Sequence, residues 1–262
     1  MHLIFNQSPG MFATTLSSLL RLPVILAASM GFLFHGISEK DICRKPRKEE
    51  QLIVYDPFMK SLEKDSVFSQ RFRELNDTGI TQSNIERSVI VIDRVNRQYN
   101  YNLGKPNETD NPASIESPID GRLHNHYKGL TPVFSPQDVI ALCEIYLAGF
   151  ARDSANLFFG LTSCDGPPYI IKVASTAIFK RFAQRICGLQ GDDTKRKQRF
   201  YESYEYVLRS GLPVKNETEF LKMISSQRGE GGISLYRGNK ECNRWSKLEL
   251  VSNNYVLARP CK

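Results

Sequence analysis

Three residues of metal-ligand type fall close together in the stretch His124-Asn125-His126-Tyr127-Lys128-Gly129-Leu130-Thr131-Pro132-Val133-Phe134-Ser135-Pro136-Gln137-Asp138. Side chains alternate along a strand, so His124 and His126, two positions apart, project from one face and both imidazoles can reach one ion. Asp138, at a helix start beyond a short loop, supplies a third, anionic ligand. Two neutral nitrogens and one carboxylate oxygen suit zinc, and three protein ligands leave a fourth tetrahedral position for water. An ion so held lowers the pKa of its water and polarises an amide carbonyl, while a carboxylate must accept the water proton. Glu86, opening the first hydrophobic strand, is the candidate for that carboxylate. A simpler local reading competes: Ser135-Pro136-Gln137-Asp138 is also a helix start, with Ser at the N-cap, Pro at the first helical position and an acid at the third. The cap accounts for Ser135 and Asp138 without a metal. It leaves unexplained two histidines on one strand face in a chain that has four.

The surrounding pattern predicts the elements that must position these groups. Residues 86–95, ERSVIVIDRV, carry the β-branched run Val89 to Ile92, and RQYNYNL alternates Tyr99, Tyr101 and Leu103 with polar residues. These read as two strands paired through Val95-Asn96-Arg97. Residues 104–118 collect Gly, Pro, Asn and Asp and read as a surface loop. IDGRLHNHY reads as a strand ending in the histidines, and SPQDVIALCEIYLAGF as a helix with Val139, Leu142, Cys143, Ile145 and Tyr146 inward. NLFFGLTS and PYIIKVAS are two further strands joined by Cys164-Asp165-Gly166-Pro167. Helical spacing then runs to Gln227, and ISLYRG with KLELVSNNYVLA forms a small C-terminal β unit. The order predicts an α/β fold of the α+β type, a mixed sheet with packed helices. The expected division is a leader over 1–38, a linker and helical lead-in over 39–85, a metal-binding domain over 86–175, and a helical region with C-terminal strands over 176–262. Within the lead-in, Phe58, Leu62, Phe68, Phe72 and Leu75 recur at roughly helical spacing.

Composition excludes the extremes. The chain has 262 residues, 41% hydrophobic and 24% charged, as ordinary globular domains do. The net charge of +7 is dispersed among acidic residues, so a nucleic-acid groove is not expected. Residues 22–34, LPVILAASMGFLF, form an uncharged apolar run preceded by Arg21, which reads as a signal peptide or N-terminal anchor with a cut near Ser38. That predicts export to the periplasm, envelope or exterior, with membrane contact through this segment. Six cysteines suit an exported chain, and Cys242 and Cys261, flanking the C-terminal hairpin, are the pair to test for a disulfide. Cys143 reads instead as a small buried side chain. There is no Cys-x-x-Cys, no G-x-S-x-G and no phosphate-binding G-x-x-x-x-G-K-[ST].

Glu86 ahead of SVIVI, then His124-x-His126, then Ser135-x-x-Asp138, resemble the JAB/MPN (JAMM) metallopeptidase domain over residues 86–175. Tyr127 stands where that family carries a proline. The resemblance implies a JAMM-like core, zinc on His124, His126 and Asp138, Glu86 as general acid/base, and Ser135 as an oxyanion-stabilising group. The whole chain is also similar to a group of uncharacterised exported bacterial proteins with a comparable His-x-His module. The expected function is a zinc-dependent hydrolase of peptide or isopeptide bonds acting outside the cytoplasm. The alternative is a non-catalytic JAMM-like binding or structural module of an envelope assembly. A third reading is an interaction protein whose residues 177–227 dock a partner, with Lys195, Arg196, Lys197 and Arg199 on an acidic surface.

Overall fold

The computed structural model describes residues 53–108, 115–209, 213–225, 231–252 and 255–262. The apolar run 22–34, the expected leader and Cys43 lie outside these residues. Among the described residues no helix is long and apolar enough to cross a membrane.

Eight strands make one sheet in the order β2-β1-β3-β4-β5-β6-β7-β8. They are β1 (Ile85–Asp93), β2 (Gln98–Pro106), β3 (Gly121–His126), β4 (Phe158–Ser163), β5 (Gly166–Val173), β6 (Ile233–Gly238), β7 (Trp245–Ser252) and β8 (Tyr255–Pro260). Neighbours run antiparallel except β3 and β4, which are parallel. A parallel pair cannot be closed by a tight turn, and the crossover is α4 (Pro136–Leu147). The histidines therefore end a central strand, and the connection leaving them returns as the helix that carries Asp138.

Helices cover both faces of this sheet. On one, α4, α5 (Thr176–Cys187), α6 (Thr194–Arg209) and α7 (Pro213–Ser225) pack over Ile90, Phe159, Leu161, Tyr169, Ile171, Leu235 and Leu248. On the other, α1 (Pro57–Lys64) and α2 (Ser66–Leu75) bring Met59, Leu62, Phe68 and Phe72 onto Val89, Val91, Leu123, Phe158, Ile170 and Trp245, and the short α3 (Thr78–Thr81) leads from α2 into β1. Burial on both sides explains why β4 and β5 read as continuous apolar runs rather than alternating ones. Gly160 shows how close the second layer sits: a Cβ there would lie 2.4 Å from Phe72 Cε2 and 2.6 Å from Leu123 Cδ2.

Four features differ from the sequence reading. The segment expected as a lead-in is a structural layer, since α1 and α2 bury Leu62, Phe68 and Phe72 completely. The C-terminal strands extend the same sheet, with β6 pairing to β5 from Tyr169↔Arg237 to Val173↔Ile233. Local spacing cannot reveal such pairing, because the partners are some sixty positions apart. The loop expected from residue 104 begins later, because β2 continues to Pro106, and its far end inserts Ile115 and Ile119 into the core. Cys242 and Cys261 are buried in one apolar cluster but carry free thiols, so no disulfide joins them here.

Candidate metal centre

On β3, Leu123 belongs to the face under α2, while His124 and His126 lie on the face under α4, as alternation requires. The two rings stand 5.2 Å apart, centroid to centroid. Phe134 closes one side, with its ring 5.9 Å from that of His124.

Asp138 reaches both histidines from the first turn of α4. Its Oδ1 lies 3.0 Å from His124 Nε2, and its Oδ2 lies 3.4 Å from His126 Nε2. Ligand atoms of all three residues fall within 4.8 Å of one another, and all three are buried, so the group could hold a metal ion. The helix cap is present as well. Ser135 N and Oγ donate to Asp138 Oδ2 at 2.7 and 2.8 Å, and Asp138 N donates to Ser135 Oγ at 3.2 Å. The cap and the ligand set thus share one carboxylate: Oδ2 is anchored by the cap, and Oδ1 is left facing His124. The Ser135 hydroxyl proton is directed at Asp138, so in this structure the side chain orients that carboxylate.

Neither ring nitrogen of His124 makes a hydrogen bond, although the side chain is fully buried. The 3.0 Å approach of Asp138 Oδ1 is off the direction in which the ring N–H would point. An unpartnered buried polar atom is costly, and the lone pair of a neutral imidazole inside a carboxylate-containing pocket suits a cation. Burial holds His124 down at about 4, against the opposing pull of Asp138, so the ring is neutral at pH 7 and able to ligate. In His126, Nδ1 lies 2.7 Å from the Thr131 carbonyl. A carbonyl only accepts, so Nδ1 carries a proton and Nε2 is the nitrogen turned toward Asp138. Burial pushes His126 down, but the carboxylates of Asp138 and Glu86 and the Thr131 carbonyl outweigh it and raise its pKa. Burial likewise opposes ionisation of Asp138, yet the two histidines hold its carboxyl well below the usual range.

Glu86 lies beside this group. It is 4% exposed, ion-paired to Arg122 at 3.3 Å, and close enough to raise His126 electrostatically. Its position depends on a residue that sequence reasoning passed over. The β1–β2 register shifts between Ile85 and Arg87, placing Glu86 at an irregularity, and the β1–β3 pairing stops at Ser88↔His124. Asn125, between the two histidines and fully buried, replaces the missing ladder: its Oδ1 accepts from Arg87 N at 2.7 Å and its Nδ2 donates to Ile85 O at 3.4 Å. The side chain therefore grips the backbone on both sides of Glu86. Bulges commonly re-aim a side chain beside a site, and a polar residue on an otherwise apolar strand face was the signal available in the sequence. Arg122 and Thr131, which hold Glu86 and His126, were also not singled out.

No protein-family model, curated protein or solved structure matches this chain.

Proposed function

We propose that the protein is a zinc-dependent hydrolase of peptide or isopeptide bonds, built on a JAMM-like site and acting outside the cytoplasm. The observation that carries this reading is the convergence of His124, His126 and Asp138 with both nitrogens of His124 unpartnered, next to a buried carboxylate that is not one of the three. His124 and His126 offer ring nitrogens and Asp138 a charged oxygen, a donor set that suits zinc. Bound zinc would supply Lewis acidity and a water of lowered pKa. The chain's own residues supply the rest. Glu86, ion-paired to Arg122 and held by Asn125's grip on the backbone either side of it, would take a proton from the attacking water and return it to the departing amine. Ser135 and Thr131 keep Asp138 and His126 aimed inward, which spares the reorganisation a looser site would need.

The non-catalytic reading is favoured by a separate observation. The side chains of His124, His126 and Asp138 are only 0%, 6% and 11% exposed, so an approaching chain meets the edge of the site rather than an open groove. Metal analysis combined with turnover separates the two. The purified full chain should carry about one zinc per molecule, lost in His124→Ala, and should cleave an isopeptide-linked or peptide substrate library with turnover abolished in Glu86→Gln. Zinc binding without turnover, unaltered by Glu86→Gln, leaves the structural module. A wild-type protein that is folded yet takes up no zinc overturns the hydrolase and leaves only a metal-free module.

A further inference from the structure

Outside the metal centre, two thiols meet in the interior. Cys143 lies on the inward face of α4 with Val139 and Leu142, and Cys187 is the last residue of α5, following Phe182 and Ile186. Both are fully buried in the core beneath these helices. The Cys187 thiol points at α4, its Sγ 4.0 Å from the carbonyl of Ile140, one turn before Cys143, and both cysteines are free thiols. Cys242 and Cys261 lie in the apolar cluster on the opposite face of the sheet, away from this couple. Both thiols sit on helices of 12 residues, so their approach is set by helix packing and not by a loop that could swing away.

We propose that Cys143 and Cys187 are the site of a disulfide that clamps α4 to α5 when the protein folds under oxidising conditions. In the exchange, one thiolate attacks the S–S bond of an external disulfide such as oxidised glutathione, forming a mixed disulfide and releasing one glutathione thiolate. The second cysteine then displaces the other glutathione. The chain loses two electrons and two protons, and the oxidant is reduced to two thiols. Burial raises the Cys143 thiol well above its usual range, and neither sulfur meets solvent in the folded protein. The exchange therefore takes place before α5 docks, and once formed the bond is shielded from reductants. Its consequence reaches the metal centre, because α4 carries Asp138 in its first turn. The cysteines are 44 positions apart, a span whose closure constrains the unfolded chain substantially.

The full chain, unfolded and refolded in a glutathione redox buffer, is expected to be about 2 Da lighter than its reduced form. Non-reducing peptide mapping should recover a crosslink between the peptides holding Cys143 and Cys187. The oxidised protein should melt roughly 5–15 °C above the reduced one, a gap absent in the Cys143→Ala/Cys187→Ala double variant, whose small apolar replacements retain the fold. Recovery of both cysteines as alkylated free thiols after redox refolding would overturn the proposal, as would crosslinks from either to Cys43, Cys164, Cys242 or Cys261. Equal melting temperatures with the crosslink mapped would overturn the clamp.

Discussion

Replacing Asn125 with alanine tests how Glu86 is held. In the wild type the Asn125 carboxamide caps the Arg87 N–H at 2.7 Å and the Ile85 carbonyl at 3.4 Å, and the side chain has no contact with solvent. Alanine orphans the Arg87 N–H, while the Ile85 carbonyl still accepts from the Ser83 hydroxyl at 3.3 Å. The short bond dominates, since a donor stripped of its partner in the interior costs about 1–3 kcal/mol, whereas the 3.4 Å contact is near the limit and the half-buried strand end can recruit water. A net loss of about 2 kcal/mol follows, or roughly 4–8 °C in Tm for a domain of this size. The loss should be local as well as global, so hydrogen exchange is the sharper assay: protection at the Arg87 amide should collapse while that of Val89 and Val91, deeper in β1, changes only with overall stability. Asn125→Asp keeps the acceptor for Arg87 N but introduces a buried charge, so it should preserve more protection at Arg87 than alanine while still lowering Tm. Unchanged exchange at Arg87 in Asn125→Ala would refute the reasoning, because the bulge would then hold itself.

Two further outcomes follow from the packing and electrostatics. Gly160→Ala should destabilise the protein by about 1–3 kcal/mol, measured by urea titration, because the new methyl overlaps Phe72 and Leu123; pairing it with Phe72→Leu should recover part of that loss. Asp56 governs one acid limb of stability. Burial opposes its ionisation, but the Tyr236 hydroxyl at 2.6 Å, the Met59 amide at 3.1 Å and Lys172 at 3.5 Å hold its carboxyl below its ordinary value. A carboxyl lowered on folding contributes stability that is complete above its unfolded pKa and lost as pH falls through the folded one. Melting temperature should therefore drop below about pH 4, and Asp56→Asn, less stable at neutral pH, should show a shallower fall there; identical acid limbs would exclude the assignment.

Much of the site was legible in the residues themselves. A period of two carries His124 and His126 to one face, the Ser135 to Asp138 spacing specifies a capped helix, and β-branched and aromatic runs mark β1, β4 and β5. These are local rules, decided within a few residues by backbone geometry, so the elements and the α+β class follow from sequence. What locality cannot reach, the tertiary structure decided. Whether Asp138 merely caps α4 or also faces the histidines depends on the parallel β3–β4 crossover, which lays the helix start over the end of the strand. Asn125 has its role only because β1 runs alongside β3 with its ladder interrupted at Glu86. Cys143 meets Cys187 on another helix, whereas Cys242 and Cys261, which flank a hairpin, share an apolar cluster on the opposite face as free thiols. The phenylalanines of α1 and α2 announce a buried helical face, but only the assembled sheet shows which surface they cover, because burial is a property of two elements and a sequence window contains one.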